Sequence, residues 1–353
     1  MDASISAAAR SETAEQAKAV ELSPDRIVRL GFGFRGAKAL LSAVELDLFS
    51  HLAVAPLDGE TLRQRLGLHQ RGARDFFDAL VALGMIDRCS GIYSNTPETD
   101  FYLDRSKPSY IGGILRLADT MVYPVWNSLT ETLRTGEPHS GIKDGQDLFD
   151  FAYSDPPSLA RFAQGMTGSS LPVATALARC FPWTDYRTFI DVGAAEGAAA
   201  VEIAKAHPHL TGGGFDLPKM QPLFEAYVQS RRVEDRLRFH AGDFFSEPLP
   251  SADVLVMGQI LHDWSLQVKQ ELLSKAFAAL PKGGALIVYD QMIDDERREN
   301  AAGLLMSLSM LVGTRGGFDY TRADATGWMR GAGFGDVRHA PLTSSYSMIV
   351  GRK

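Results

Sequence analysis

Residues 188–208 read TFIDVGAAEGAAAVEIAKAHP, and this stretch decides the fold. The run Thr188–Val192 is short and mostly apolar, which is typical of a strand buried on both faces of a sheet. Gly193 ends the run, and the alanine-rich residues after Gly197 have the composition of a helix. A strand, a glycine turn and a helix in this order predict the first βα unit of a parallel sheet.

Further short apolar runs follow, and helical patterns such as QVKQELLSKAFAALP (residues 267–281) separate them. The predicted strands are Gly214–Asp216, Arg236–His240, Asp253–Met257 and Ala285–Asp290. Strands that alternate with helices indicate an α/β fold whose mostly parallel sheet is covered on both faces. We therefore predict an α/β domain over residues 186–353, with its ligand beyond the carboxyl ends of the strands.

The chain before this sheet is predicted to fall into three parts. Residues 1–22 form a flexible tail, residues 23–104 a separate module, and residues 105–185 a mostly helical region. The helical region is rich in aromatic residues, which line an apolar ligand pocket as readily as they fill a core. Candidates for lining such a pocket are Tyr123, Trp126 and Phe162. Pro172 and Pro182 predict the domain boundary that precedes the sheet.

The module of residues 23–104 has the order of elements of a winged helix-turn-helix. A helical stretch ends near Leu83, and residues 88–93 (RCSGIY) predict a small β-hairpin. Such a module binds DNA in some proteins, and the same packing can serve dimerisation or cover a substrate in others. Three basic residues favour DNA, and three acidic residues together with the overall charge oppose it. These residues are Arg71, Arg74 and Arg88, and Asp75, Asp78 and Asp87.

The composition excludes several classes of protein. The chain has 353 residues, enough for about two domains, and its 45% hydrophobic and 22% charged residues exclude intrinsic disorder. With 36 basic and 43 acidic residues the formal charge is −7, so a small molecule is a better expected ligand than nucleic acid. Cys89 and Cys180 have neither metal-site spacing nor a disulfide pattern, and no apolar run is long enough to span a membrane. We expect a cytoplasmic protein that holds no metal ion.

Motifs at the ends of the first three predicted strands together describe an adenosine ligand. Gly193 lets the backbone approach a ligand closely at the start of the following helix. Asp216, with Leu217 beside it, is placed to accept hydrogen bonds from ribose hydroxyls. Asp243 and Phe244 are placed to bind an adenine amino group and to pack on its ring. For either acid, the alternative is a helix cap or a turn former.

The fourth predicted strand is followed by a histidine, an acid and a tryptophan. His262 lies at the lip of the predicted cleft, and a neutral imidazole accepts a proton at cellular pH. We therefore predict that His262 is a general base, although most lone histidines are structural or simply exposed. Asp290 and Asp319 are the candidates for orienting its ring. Asp263 is predicted instead to cap the helix that begins near Ser265.

The chain contains, in this order, the motifs DVGAAEG, FDLP, GDFF, LHDW, LPKGGALIVYD and GAGF. With the winged-helix-like module before them, they resemble the S-adenosylmethionine-dependent O-methyltransferases of the plant caffeate and acetylserotonin type and their bacterial relatives in secondary metabolism. The resemblance covers nearly the whole chain beyond the tail, and LHDW after GDFF is its specific part. It implies a homodimer held largely by the N-terminal module, and a Rossmann-like seven-stranded methyltransferase sheet.

The resemblance also implies roles for individual residues. Gly193 would approach the methionine part of S-adenosylmethionine, and Ser170 would lie near the carboxylate of that cofactor. Met166 would border the methyl acceptor. The resemblance also implies that Asp216 binds the ribose, and that Asp243 and Phe244 bind the adenine. His262 matches the proton acceptor of the family.

The chain departs from the family pattern at several positions. Ala195 stands at the central glycine of the loop, where a small side chain can be accommodated. Gly258 replaces a lysine of the plant members, so that Gln259 becomes the candidate for binding the cofactor carboxylate. Asp290 and Asp319 replace two glutamates and are each shorter by a methylene, so the histidine would be oriented differently or through water.

The implied reaction is in-line transfer of a methyl group from a sulfonium to a hydroxyl. A phenol, with a pKa of about 10, is a far easier acceptor than an aliphatic alcohol, so we expect a hydroxylated aromatic substrate. The alternatives are a C-methyltransferase that acts on an activated carbon such as an enol, a relative that keeps the cofactor without methylating, and a regulator that uses the winged helix on DNA.

Overall fold

The computed structural model describes residues 22–138, 149 and 152–353. Apart from Leu22, the predicted tail lies outside the described residues. The module that follows contains helices α1 (Asp25–Gly31), α2 (Phe34–Glu45), α3 (Leu48–Val54), α4 (Gly59–Arg65), α5 (Gln70–Ala82) and α6 (Pro97–Leu103). Its three strands are β1 (Leu57–Asp58), β2 (Ile86–Cys89) and β3 (Ile92–Asn95), which pair in the order β1-β3-β2.

The predicted hairpin is confirmed as the wing of this module. Strands β2 and β3 pair antiparallel, and Ser90 and Gly91 form the two-residue turn between them. Both turn residues have a positive φ, 48° and 82°, as a type I′ turn requires. Asp58 begins α4 by accepting hydrogen bonds from the backbone N–H groups of Glu60 and Thr61. The order of helices, turn and wing is therefore that of a winged helix, as the sequence predicts.

The remaining α-helices are α7 (Gly112–Leu117), α8 (Tyr123–Val125), α9 (Leu129–Thr135), α10 (Pro156–Cys180), α11 (Ala198–Ala206), α12 (Gln221–Ser230), α13 (Leu266–Ala279), α14 (Ala301–Gly313) and α15 (Arg322–Gly331). A π-helical turn covers Ala118–Val122, and 3₁₀ turns cover Trp126–Ser128, Trp183–Asp185, Pro218–Met220 and Leu261–Asp263. The interpretation of Pro172 as a boundary marker is wrong, because this residue lies inside the 25-residue helix α10. Packing of α10 against α7 and α11 outweighs the cost of an interior proline, which is about 3 kcal/mol.

The larger sheet consists of β4 (Thr188–Val192), β5 (Thr211–Asp216), β6 (Leu237–Ala241), β7 (Val254–Gly258), β8 (Ala285–Asp290), β9 (Asp336–Pro341) and β10 (Ser347–Arg352). The spatial order is β6-β5-β4-β7-β8-β10-β9, and β10 is the strand that runs antiparallel to its neighbours. The predicted α/β class with a mostly parallel sheet is confirmed. The strand order reverses between β4 and β7, which creates the crevice where ligands bind on such sheets.

Two apolar layers cover this sheet. Alternate residues of the central strands, such as Phe189 and Val256, pack on one face with Leu177 of α10. Their neighbours, such as Ile190, pack on the other face with Leu273 of α13. Every residue of β8 is buried. The runs without polar alternation in the sequence thus reflect strands enclosed by helices on both sides.

Strand β5 begins TGGGFD, and its glycines allow close contact with the strands on either side. A Cβ atom added to Gly212 would lie 2.4 Å from the carbonyl oxygen of Phe189 in β4. One added to Gly213 would lie 1.9 Å from the carbonyl oxygen of Arg238 in β6. The pairing of β5 with both neighbours therefore depends on the absence of side chains.

Within the described part of the chain, no helix is both long and apolar enough to cross a membrane. Cys89 and Cys180 are exposed and are not joined in a disulfide.

We predict that Gly213→Ala destabilises the protein. The new methyl group would collide with a backbone oxygen held in the sheet, and overpacking of this kind costs about 1 to 3 kcal/mol. Thermal unfolding followed by calorimetry measures the effect as a lowered Tm. The matched control is Gly327→Ala in α15, where the added methyl meets open space and the Tm should be unchanged or higher. Equal Tm values for the two variants would contradict this account of β5.

Candidate active site

The glycine loop after β4 turns against the end of β5. Gly193 N donates to Phe215 O at 2.8 Å. Gly193, Ala195 and Gly197 all have positive φ, at 74°, 48° and 90°. Ala195 therefore occupies the left-handed region, which costs a residue with a side chain about 1 to 2 kcal/mol. This explains why a glycine suits the position, and it identifies Ala195 as a locally strained residue.

Asp216 lies at the carboxyl end of β5, buried against this loop. Its carboxylate accepts hydrogen bonds from Ala195 N at 2.9 Å and from Leu217 N at 2.7 Å. Burial raises the pKa of Asp216 to about 6, although both N–H groups lower it. The acid predicted to bind a ribose is thus directed into the crevice between loop and strand, beside Leu217.

Asp243 and Phe244 follow β6 in a turn. Asp243 accepts from Phe245 N at 2.9 Å, so this half-buried acid forms a turn in addition to any contact with adenine. The rings of Phe244 and Phe245 lie edge-on to Trp264, with centroids 5.9 Å and 4.8 Å away. Lys275 of α13 donates to the carbonyl oxygens of both phenylalanines. The predicted adenine loop is therefore joined to the segment that follows His262.

Gln259 joins the end of β7 to helix α10. Its Nε2 donates to Ser170 Oγ at 2.9 Å, and its Oε1 accepts from Ser169 Oγ at 2.9 Å and from Tyr346 Oη at 3.0 Å. A side chain at Gly258 is excluded, because a Cβ atom there would lie 1.9 Å from the ring of Tyr289. Two residues predicted near the cofactor carboxylate, Ser170 and Gln259, are thus brought together.

His262 is buried in the 3₁₀ turn after β7, among three carboxylates. Its Nδ1 lies 3.3 Å from Asp319 Oδ1, in a hydrogen bond, and 3.8 Å from Asp290 Oδ1. Its Nε2 lies 3.5 Å from Asp263 Oδ1. Tyr320 Oη donates to the other oxygen of Asp290. The structure therefore brings together the predicted base and both predicted orienting acids.

The three carboxylates determine the protonation of the imidazole. Burial alone would lower the pKa of His262, but Asp263, Asp290 and Asp319 overcome it and raise this pKa to about 10. Burial in turn raises the pKa of Asp290 to about 7 and that of Asp263 to about 6. His262 is thus a stronger base than a free imidazole, and its cationic form is stabilised.

The prediction that Asp263 caps helix α13 is wrong. Ser265 is the N-cap, and its side chain accepts a hydrogen bond from Val268 N. Asp263 is buried beside the imidazole instead. Asp263 is the last residue of the 3₁₀ turn Leu261–Asp263, which lies before the start of helix α13. Its side chain is therefore directed inward and does not reach the first turn of the helix.

The predicted acceptor-lining residues do not all meet. The Phe149 ring stacks on Trp264 at 5.7 Å, and Phe162 and Met166 pack with Phe149 in one apolar cluster. Trp126 Nε1 donates to Ser309 Oγ of α14 at 3.2 Å. Tyr123 lines a groove in the N-terminal half, together with Phe34, Lys38 and Phe76 of α2 and α5. The aromatic cluster reaches the His262 segment through Trp264.

Two residues near the site, Tyr320 and Lys269, were not predicted from the sequence, whereas Tyr153 belongs to the aromatic-rich region that was predicted to line a ligand pocket. Tyr153 packs on Phe162, and burial raises its pKa, as do the charges of Asp216 and Asp263. Tyr320 and Lys269 lie beside the carboxylates of the His262 cluster. Tyr320 could have been identified as a site residue because it directly follows Asp319 in the sequence. Lys269 could not, because nothing in the helical pattern of residues 267–281 marks it as buried.

The ligand atoms of His262, Asp290 and Asp319 lie within 4.8 Å of one another. Asp290 Oδ1 and Asp319 Oδ2 have no hydrogen-bond partner among the described residues. The spacing is compatible with a metal ion as well as with an imidazole that alternates between neutral and charged forms.

Two family models match the chain. The O-methyltransferase domain matches residues 126–335, and the O-methyltransferase dimerisation domain matches residues 28–105. The second match assigns the winged-helix-like module to dimerisation, so the chain forms a homodimer. Exposed apolar side chains on and after α1, such as Ile27 and Leu30, are consistent with a surface covered in the dimer.

Known proteins are similar over most of the chain. The tetracenomycin polyketide synthesis 8-O-methyl transferase TcmO of Streptomyces glaucescens is 46% identical over 331 residues, covering 94% of this chain and 97% of TcmO. The N,N-dimethyltransferase OxyT of Streptomyces rimosus is 40% identical over 269 residues, covering 76% and 78%. The structure of human N-acetylserotonin methyltransferase in complex with SAM has a TM-score of 0.87 at 26% identity, covering 95% and 99%.

The strand ends, the glycine loop and the buried histidine thus occur in a chain that two family models match and that aligns with TcmO over nearly its whole length. The chain belongs to the S-adenosylmethionine-dependent O-methyltransferase family.

Proposed function

We propose that this enzyme transfers the methyl group of S-adenosylmethionine to a hydroxyl of an aromatic small molecule, with His262 as the general base. The geometry of the imidazole carries this proposal. Nδ1 is hydrogen-bonded to Asp319, and Nε2 lies 3.5 Å from Asp263 Oδ1. In the neutral imidazole, a proton held on Nδ1 leaves the lone pair of Nε2 to accept the acceptor's proton. Because the acids stabilise the cation, this neutral form is the minor one at pH 7 and its population rises with pH.

The residues at the strand ends fit the family's cofactor. Asp216 offers carboxylate oxygens for the ribose hydroxyls, the linked Ser170 and Gln259 offer polar groups for the amino acid part, and Phe244 offers a ring face for adenine. When bound, S-adenosylmethionine supplies a methyl group activated by a sulfonium cation. The chain's contribution is to align the acceptor oxygen and to exclude water, and alignment alone can lower a barrier by about 7 to 11 kcal/mol.

An aromatic acceptor fits both the walls and the base. The cluster of Phe149, Phe162 and Met166 presents rings and an adaptable thioether next to Trp264. A phenol has a pKa of about 10, and the pKa of His262 is raised to about 10. Proton transfer between two groups of matched pKa needs little driving force, which favours a phenol over an aliphatic alcohol. TcmO, whose name specifies a polyketide hydroxyl, is consistent with this class.

A cytoplasmic location is part of the proposal. Its support is chemical, since Cys89 and Cys180 are exposed free thiols, which persist in a reducing compartment.

A second candidate function is N-methylation of an amine, which the 40% identity to OxyT, an N,N-dimethyltransferase, favours. Cofactor carrying a deuterated methyl group separates the candidates when it is offered with phenolic and amine-bearing polycyclic acceptors in a buffer containing EDTA. We expect the label on the phenol oxygen. Label on nitrogen or carbon would replace the proposed reaction with the corresponding N- or C-methylation, and the absence of label on any acceptor would favour a non-methylating relative. Activity restored only by a divalent metal would overturn the metal-free site.

We predict that His262→Asn leaves cofactor binding intact and lowers turnover. Loss of a general base costs about 10²- to 10⁴-fold in rate. The rate is measured as labelled methyl transfer at saturating acceptor, and the affinity for S-adenosylhomocysteine by calorimetry. His339→Asn, which alters an exposed histidine on β9, is the control and should match the parent enzyme. Unchanged turnover in His262→Asn would refute the base assignment.

We predict that Asp216→Asn weakens cofactor binding at least tenfold, since ribose hydroxyls bind an ionised carboxylate more strongly than an amide. In the parent enzyme, affinity should fall as the pH drops below about 6, because the carboxylate then becomes protonated. Calorimetric titration with S-adenosylhomocysteine between pH 5 and pH 8 measures both effects. A parent-like affinity and pH dependence in the variant would show that Asp216 does not contact the ribose.

A further inference from the structure

Lys269, in the first turn of α13, is a fully buried lysine. Lysine is rarely buried completely, since removing an ammonium from water is costly unless other groups compensate. Among the described residues, Lys269 forms no direct ion pair with a carboxylate; its ammonium donates to the carbonyl oxygen of Trp264 at 2.5 Å. Such a placement points to a role beyond packing.

The Lys269 ammonium bridges the two segments that carry the base and its partner. Trp264, whose carbonyl it caps, is two residues after His262. On the other side the ammonium lies 3.6 Å from the ring centroid of Phe318 and 5.7 Å from that of Tyr320, which flank Asp319. The same segments also meet where Phe318 N donates to His262 O at 2.8 Å. Lys269 therefore lies between the turn that carries His262 and the segment that carries Asp319.

Lys269 also contributes charge to the cluster. Burial lowers its pKa to about 8, while Asp290, Asp319 and Asp263 act in the opposite direction, so the amine is cationic at neutral pH. The ionisable groups that face it are these three acids, His262 of the adjoining turn and the phenol of Tyr320. Its positive charge adds to that of the imidazolium in balancing these acids.

We propose that Lys269 is a positioning residue for methyl transfer, which holds the His262 turn against the Phe318–Tyr320 segment and balances the negative charge around the imidazole. This inference rests on the proposed role of His262 as the base. Lys269 touches neither reactant, and its effect passes through the acids and through His262. Its removal should leave the carboxylates attracting protons more strongly, so that His262 loses its proton only at higher pH.

The test uses Lys269→Met, which keeps the length and apolar stem of the side chain but removes its charge. We expect unchanged affinity for S-adenosylhomocysteine, a lowered Tm because the buried acids lose a compensating charge, and turnover at pH 7 reduced about tenfold. Below about pH 8, where the Lys269 amine of the parent is cationic, the acidic limb of the pH profile of kcat should lie about one pH unit to the alkaline side of the parent's. Near pH 10 the two profiles should converge, because the parent's amine is then neutral. In protein labelled with ¹⁵N-histidine, the His262 signal, assigned by its loss in His262→Asn, should begin to titrate at a correspondingly higher pH.

Lys353→Met is the matched control. Lys353 also donates to backbone carbonyls of α13, at 2.6 Å from Phe277 O, and lies 4.7 Å from a phenylalanine ring, but at the opposite end of the helix. Its variant should keep the parent pH profile. Lys269→Gln, which retains a hydrogen-bond donor without charge, should show the same shift as Lys269→Met and serves if the latter does not fold.

A loss of turnover without any shift of the pH profile or of the His262 titration would overturn the proposal and leave Lys269 a packing residue. Parent-like turnover and titration in both Lys269 variants would overturn it as well. These outcomes are distinct from failure of the proposed function, which is recognised by parent-like turnover of His262→Asn.

Discussion

The enclosure of one imidazole by three carboxylates is the constraint on which the catalytic half depends. Asp263 belongs to the turn after β7, Asp290 ends β8, and Asp319 lies between α14 and α15. Charges buried in this way are tolerated only when partners compensate them within a few ångströms. The three segments must therefore meet at one point, and Tyr320 and Lys269 complete the set by contacting Asp290 and the Phe318 ring.

The sheet supplies that meeting point. Parallel strands end at a common edge, and the reversal of order between β4 and β7 opens a crevice there. The glycines of β5 allow it to pair closely on both sides, which places Asp216 against the backbone of Ala195. Ala195 and Gln259, which both have a positive φ, also lie at this edge of the sheet, after β4 and β7. Locally unfavourable backbone is thus concentrated where the loops form the site.

Aromatic contacts extend the site toward the N-terminal half. Trp264 directly follows the base and its neighbouring acid, and it receives Phe149 on one side and the two phenylalanines of the adenine loop on the other. A single ring therefore joins the proposed acceptor wall, the proposed base and the predicted adenine loop. We expect enzymes that methylate different acceptors to differ first in the residues around Phe149 and Phe162. The proposed base and the residues at the strand ends can stay the same in such enzymes.

The sequence by itself determined the five parallel strands β4 to β8, the hairpin, the glycine loop and the acids that end β5 and β8, because each depends on periodicity or on residues close together in the chain. The strands β9 and β10 were not predicted from the residue pattern. Only the tertiary structure decided that Asp263 faces the imidazole while Ser265 caps α13, that helix α10 continues through Pro172, and that Lys269 is buried. In each of these cases the local preference competes with packing between elements distant in sequence. A histidine followed by an acid identifies a candidate base, but which carboxylates surround it depends on where three separate segments pack.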